Sequence, residues 1–201
     1  MEMQSKEGHL GGYIMNQPAP GTRVTEVWDW VIKEYNIKSM VDIGCGLGYT
    51  PLYFKEKNCE VLGIEGSPSA CENSVISENL IKHDYTTGPL NLDNKYDLVW
   101  SAEFVEHVEE KYTDNFLETF KSSNKLILIT FAAPGQAGHH HVNCKPAEYW
   151  IRKIESLGFK YSEELTLKTR RFLPNNLGLP KSHPNYFKGD AYRQRGLFFI
   201  K

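Results

Sequence analysis

Four stretches of this chain carry residue types that could do chemistry. "VDIGCGLGY" at 41–49 sets Gly44, Gly46 and Gly48 at alternate positions after an apolar run that contains Asp42. Glycines at such a turn let the backbone approach a ligand closely. Glu65 closes a second apolar run nineteen residues after Gly46, and "KHDYTTG" places Asp84 and Tyr85 after a third. A carboxylate offers two acceptor oxygens, which suits two neighbouring hydroxyl donors such as those of a ribose. "SAEFVEHVEE" at 101–110 brings Glu103, Glu106 and His107, and "PGQAGHHHVN" at 134–143 brings His139, His140, His141 and Asn143. Imidazole titrates near neutrality and can act as a general base, while Glu103 and Glu106 can orient it or bind a cationic part of a substrate. The acidic run that continues to Glu110 also suits a solvated helix face.

The glycine spacing narrows the ligand. A dinucleotide fingerprint starting at Gly44 needs glycine at position 49, where Tyr49 stands, and no Lys-Ser/Thr follows as in a phosphate-binding loop. A nucleoside ligand without a pyrophosphate is expected. Asp42 has a second reading as a cap on the turn, and Cys45 reads as a small residue that fills it. No metal is expected. Three consecutive histidines cannot all face one ion from a regular strand, and no carboxylate or cysteine lies at ligand spacing beside them. The four cysteines, Cys45, Cys59, Cys71 and Cys144, form no CxxC pair and are expected to be reduced and unlinked.

These residues need a scaffold that presents loops at one edge. Val24, Trp28, Val31 and Tyr35 recur with helical spacing. "SMVDIG", "CEVLGIEG", "NLIKHD", "YDLVWS" and "KLILITFA" read as strands, with helices at "YTPLYFKEK" and "TDNFLETFKSS". "PAEYWIRKIESLG" has Pro146 near its start and Gly158 as a stop, the marks of a helix. "FKYSEELTLKT" and "GLFFIK" read as two final strands, separated by a loop over 170–195 and paired as an antiparallel hairpin at one edge. The fold class is α/β: a doubly wound, Rossmann-like, mostly parallel seven-stranded sheet with an antiparallel C-terminal strand pair and helices on both faces. One domain spans 1–201, with 1–21 as an irregular Gly- and Pro-rich lead-in.

Composition fits that domain and excludes several classes. At 40% hydrophobic and 24% charged residues the chain is neither disordered nor fibrous. It has no secretory leader and no apolar run near the roughly 18 residues of a membrane span, so a cytoplasmic protein without membrane association is expected. Net charge is only −2, but Lys168–Lys201 holds eight Lys or Arg against the single Asp190. Arg170, Arg171, Lys181, Lys188, Arg193 and Arg195 are interleaved there with Phe172, Tyr186, Phe187 and Tyr192, a pattern that also suits nucleic acid.

"VDIGCGLG" with Glu65 and Asp84 downstream resembles the class I S-adenosylmethionine-dependent methyltransferases. The resemblance implies that the glycines of the turn, with Cys45, surround the methionine part of S-adenosylmethionine, with Asp42 near its amino end. It implies that Glu65, followed by Gly66, takes the ribose hydroxyls, that Asp84 bonds the adenine amino group, that Tyr85 flanks the ring, and that Ser101 borders the cofactor. S-adenosylhomocysteine would be the product. "HHVNCKPAEYWI" and "GHLGGYI" are similar to a type 11/23-like branch of small microbial and viral methyltransferases. That implies His140, His141 and Asn143 in the acceptor pocket and Tyr13 closing over the cofactor or acceptor. Ser101-Ala102-Glu103-Phe104 stands where base-amino methyltransferases carry Asp/Asn-Pro-Pro-aromatic, and the magnesium carboxylate set of the catechol type finds no match. The expectation is metal-free methyl transfer by direct displacement to a small hydroxylated or amine-bearing acceptor, with His107, His140 or His141 as base. Nucleic acid is disfavoured as substrate; an RNA methyltransferase and a non-catalytic cofactor-binding partner subunit are the alternatives, and the oligomeric state is left open.

Overall fold

The computed structural model describes residues 8–10, 22–173 and 189–201. After helix α1 (Thr25–Glu34), strands and helices alternate: β1 (Ser39–Ile43), α2 (Tyr49–Glu56), β2 (Glu60–Glu65), α3 (Pro68–Glu72), β3 (Leu80–Lys82), β4 (Tyr96–Ser101), α4 (Thr113–Phe120), β5 (Ser123–Ile129) and α5 (Ala147–Glu155). β6 (Lys160–Tyr161), α6 (Glu163–Arg170), α7 (Asp190–Arg195) and β7 (Leu197–Ile200) complete the described chain. The seven strands form one sheet in the order β3-β2-β1-β4-β5-β7-β6. The first five are parallel, and β7 runs antiparallel to both β5 and β6.

Side-chain alternation along the strands builds two cores. Val99 of β4, Ile127 and Ile129 of β5, and Leu197 and Phe199 of β7 pack with Phe116 and Phe120 of α4 and Trp150 and Ile154 of α5. Their neighbours Leu98, Trp100, Leu126, Leu128 and Phe198 face the opposite layer, with Val27, Trp28 and Val31 of α1, Phe54 of α2 and Tyr192 of α7. A sheet buried on both faces explains why its strands read as nearly continuous apolar runs. No helix among the described residues is long and apolar enough to cross a membrane.

Two sequence expectations are corrected. "FKYSEELTLKT" is strand only at Lys160–Tyr161 and then becomes α6. Ser162 caps that helix, its hydroxyl accepting the Leu165 N–H at 3.3 Å, and Glu163 and Glu164 occupy the first turn, where the helix dipole favours acids. The stretch over 170–195 is not simply a loop, because α7 occupies its last six residues and buries Tyr192. The β6–β7 pair is antiparallel as expected, but α6 and α7 lie between its strands. Residues 174–188, with Lys181, Tyr186, Phe187 and Lys188, lie outside the described residues, as does Tyr13 and most of the lead-in.

Candidate functional site

The strand order reverses between β1 and β4, and a cavity of about 360 Å³ opens at their carboxyl ends. One wall is the glycine turn with Gly44 and Gly46, continued by Glu65, Gly66, Asp84 and Tyr85. Backbone geometry holds this wall together: the Gly44 N–H donates to the Ile64 carbonyl at 2.9 Å, joining the turn to β2. The Glu65 carboxylate accepts the N–H groups of Gly46 and Ser67, both at 2.8 Å. Burial raises the Glu65 carboxyl above its ordinary pKa, opposed by the N–H groups it accepts. At Gly44 φ is +75°, and an added Cβ would stand 2.7 Å from the Phe104 Cβ, so glycine is required there both by conformation and by the approach of Phe104.

Asp84 accepts the Thr86 N–H at 2.9 Å, and its second oxygen lies 2.9 Å from His9 Nε2. Tyr85 presents its ring to the cavity while its hydroxyl donates inward to Thr119 at 2.9 Å. Phe104, His9 and Leu10 also line the space. Sequence reasoning missed all three. Phe104 offered the faint signal of an aromatic after β4, and His9 and Leu10 lie in the "GHLGGYI" stretch from which only Tyr13 was named, while the reach of His9 to Asp84 spans 75 residues.

Four residues expected at the cofactor stand behind this wall instead. Asp42 is buried at 3% exposure in β1, and its carboxyl is pushed well up by burial and then by Glu65. Cys45 turns its sulfur over Gly63, where an added Cβ would stand 2.7 Å away. Gly48 supplies the left-handed N-cap of α2. Ser101 is fully buried and donates to the Ile43 carbonyl at 2.9 Å, tying β4 to β1 at the switch point.

The opposite wall is built by the loops after β4 and β5, with Glu103, His107, His139, His140 and His141 on the cavity. Glu103 is anchored rather than free: the Thr130 hydroxyl donates to its carboxylate at 2.8 Å, and Arg195 approaches its other oxygen at 3.7 Å. Glu106 has no exposed surface and sits behind the histidines, where neither carboxylate oxygen has a hydrogen-bond partner. Burial, then Glu103, pushes its carboxyl up to about 8. His107 is lowered to about 4 by burial and then by the neighbouring His141, so it is neutral at physiological pH. The His140 ring is lowered by burial and by His139, and its φ of +49° is a strained backbone for a non-glycine residue. Asn143, expected in the acceptor pocket, is buried and does not line it; its N–H and that of Val142 both donate to the Glu106 carbonyl at 3.0 Å. The two loops are therefore clipped together, and although no carboxylate lies at ligand spacing from the histidine run in the sequence, the fold brings Glu106 beside His141. One ligand-capable atom from each of Glu106, His107 and His141 lies within 4.8 Å of the others.

The basic C-terminal segment is largely committed to the fold. Arg170 donates to the Gly196 carbonyl at 3.0 Å, Arg193 pairs with Asp190 at 2.7 Å and Arg195 donates to the Phe131 carbonyl at 2.8 Å. Phe172 packs on Trp30, and Tyr192 stacks on Trp100. The described aromatics are thus core residues rather than a platform for bases.

A family model described as a methyltransferase domain matches residues 41–125. The chain is 30% identical to the chloroplastic tocopherol O-methyltransferase of Arabidopsis thaliana over 111 residues, covering 49% of this chain and 32% of that protein. A probable tocopherol O-methyltransferase of Oryza sativa is 29% identical over 130 residues, covering 59% and 33%. The chain thus spans about a third of the length of these relatives. Among solved structures, magnesium protoporphyrin IX methyltransferase from Synechocystis with bound S-adenosylhomocysteine superposes at a TM-score of 0.58 and 15% identity, covering 89% of this chain and 81% of that one. An O-methyltransferase of a Brevibacillus brevis polyketide synthase, also with S-adenosylhomocysteine, gives 0.58 and 15% over 88% and 70%. A methyltransferase-domain match thus lies on residues 41–125, and the chain shares the fold of these S-adenosylmethionine-dependent methyltransferases.

Proposed function

We propose that this protein binds S-adenosylmethionine and transfers its methyl group to a small acceptor through a hydroxyl or amine. The observation that carries this reading is the two-walled cavity, with a nucleoside-type wall facing a histidine wall. The residues fit the cofactor. At Gly46 the space a side chain would take is open, and Glu65 keeps lone-pair capacity beyond the backbone N–H groups of Gly46, Ser67 and Gly66 for a neighbouring hydroxyl. Asp84 and Tyr85 supply an acceptor and an aromatic face for a purine. A volume near 360 Å³ lies in the range of small-molecule sites.

S-adenosylmethionine supplies an electrophilic methyl carbon on a sulfonium. The acceptor atom contributes the electron pair of the new bond to carbon, the sulfur keeps the pair of the bond that breaks, and the acceptor proton leaves to a side chain or water. The chain's part is alignment and exclusion of water. Phe104, Val108 and Leu10 provide apolar surface, and Glu103, fixed by Thr130 and Arg195, offers a charge that can orient a donor on the acceptor. The chloroplastic tocopherol enzyme among its relatives and the Synechocystis protoporphyrin enzyme among its structural neighbours act on small molecules by name, which supports a small acceptor here. Calorimetric titration with S-adenosylhomocysteine, followed by mass spectrometry of product from a panel of phenols, alcohols and amines, tests the reading. Saturable binding and a methyl-mass gain on one class are expected; folded protein with no saturable heat would overturn it.

A further inference from the structure

We propose that Glu106, His107 and His141 form a binding site for a divalent first-row transition metal ion on the histidine wall of the cavity. Three atoms of metal-ligating type converge within 4.8 Å. Their hydrogen-bonding state is what singles them out. Glu106 is wholly buried with both carboxylate oxygens unpartnered, and His107 Nδ1 is buried and unpartnered as well. Buried polar atoms nearly always have partners, so three unpartnered polar atoms of two neighbouring ligand-type side chains mark a place made for a cation.

The surroundings are arranged as a metal site requires. His141 Nδ1 lies 3.1 Å from the Gln136 carbonyl oxygen. A carbonyl only accepts, so Nδ1 carries the proton and Nε2 keeps its lone pair, the outer hydrogen bond that orients most metal-bound histidines. The loop bearing His141 is fixed to the segment bearing Glu106 by the two N–H bonds to the Glu106 carbonyl. Gly138 lets the His141 ring lie where it does: an added Cβ there would collide with the ring at Nε2, Cε1 and Cδ2, so a side chain at 138 would displace this ligand. Arg195, whose charge acts on Glu106, donates to the Phe131 carbonyl and approaches Glu103.

Two imidazoles and one carboxylate suit zinc, cobalt, manganese or iron(II) rather than magnesium, which prefers an all-oxygen set. Three protein ligands leave coordination positions for a ligand from the cavity. Joined to the methyl-transfer reading, on which this part rests, the ion selects acceptors with a coordinating oxygen. It would lower the proton affinity of that hydroxyl. The acceptor class then narrows to hydroxyl compounds able to bind a metal.

The test uses the full chain, stripped by chelator and titrated with cobalt(II). Visible absorption bands of a low-symmetry cobalt centre saturating at one equivalent are expected, with affinity at least about tenfold weaker in Glu106→Gln and His141→Ala. His139→Ala, which removes an exposed imidazole of the same run, should leave the titration unchanged. Gly138→Ala keeps every ligand and should also weaken binding; because Gly138 has no positive φ, it tests the site even if a ligand variant misfolds. Absence of saturable bands in the wild type, or equal cobalt affinity in folded His141→Ala and Gly138→Ala, would overturn the site. S-adenosylhomocysteine titrated into the metal-free protein separates the two proposals: nucleoside binding without cobalt binding refutes only the metal site, and the reverse refutes only the methyltransferase reading.

Discussion

The Glu65 carboxylate accepts the Gly46 N–H at 2.8 Å, so the acid that closes β2 is bonded to the glycine turn that leaves β1. Its other oxygen accepts the Ser67 N–H at 2.8 Å, and the Gly66 N–H also acts on the carboxylate, which still leaves lone-pair capacity for a further donor. The side chain is thus positioned before any ligand arrives, and a ribose would meet a fixed pair of acceptors.

Replacing Glu65 by Ala is expected to weaken S-adenosylhomocysteine binding by about 1.5 to 3 kcal/mol, the scale of charge-assisted hydrogen bonds. Glu65→Gln keeps one acceptor oxygen and should fall between. Calorimetry on both variants checks this, and an affinity equal to wild type in Glu65→Ala would remove the residue from the site.

Gly44→Ala meets two obstacles, the φ of +75° and the Phe104 ring. A loss of about 1 to 3 kcal/mol of stability is expected, together with weaker cofactor binding. Phe104→Ala in the same chain should restore part of the stability, because it removes the colliding ring atoms while the Phe104 Cβ, 2.7 Å away, and the backbone strain remain. Additive losses in the double-mutant cycle would show that the two residues do not press on each other.

Burial pushes the Asp84 carboxyl up, but the His9 ring and the Thr86 N–H outweigh it and hold the group below its ordinary value. A depressed carboxyl stabilises the fold above its unfolded pKa and loses that contribution as pH falls through the folded value. Asp84→Asn should therefore be less stable than wild type at neutral pH, by under about 1 kcal/mol for a partly exposed group. The gap should close in acid. Denaturant titrations across the carboxylate range check this; a gap that does not change with pH would rule out the linkage.

What was legible in the sequence was local. The glycine turn, Glu65 and Asp84 each follow a short apolar run, and strand burial on both faces made those runs visible. His141 beside Glu106 was not legible, because the loops that carry them are joined by main-chain bonds from Val142 and Asn143 that leave no periodic trace. His9 on Asp84 is likewise a long-range contact. Ser162 followed by two glutamates did carry a helix-start signal, overridden by the alternating look of "FKYSEELTLKT". Arg195 looked like a surface charge for phosphates, whereas its bonds to Phe131 and Glu103 belong to the site's own frame.

The position of α7 can be tested through Tyr192, whose hydroxyl lies 3.1 Å from Thr169 Oγ1 of α6 and whose ring stacks on Trp100 at 5.6 Å. Removing the hydroxyl in Tyr192→Phe should cost about 1 kcal/mol, since Thr169 keeps carbonyl partners at Leu165 and Thr166. Tyr192→Ala should cost about 3 to 5 kcal/mol, as expected for emptying a buried aromatic site. Were this segment a solvated loop offering its aromatics to a nucleic acid, both changes would stay within roughly 0.5 kcal/mol of wild type. Chemical denaturation of the two variants decides between these outcomes. Because Arg195 lies on the same short helix, loss of α7 should also remove the Arg195 approach to Glu103 and leave Thr130 as its anchor, so the Ala variant is expected to lose acceptor turnover by a larger factor than S-adenosylhomocysteine affinity.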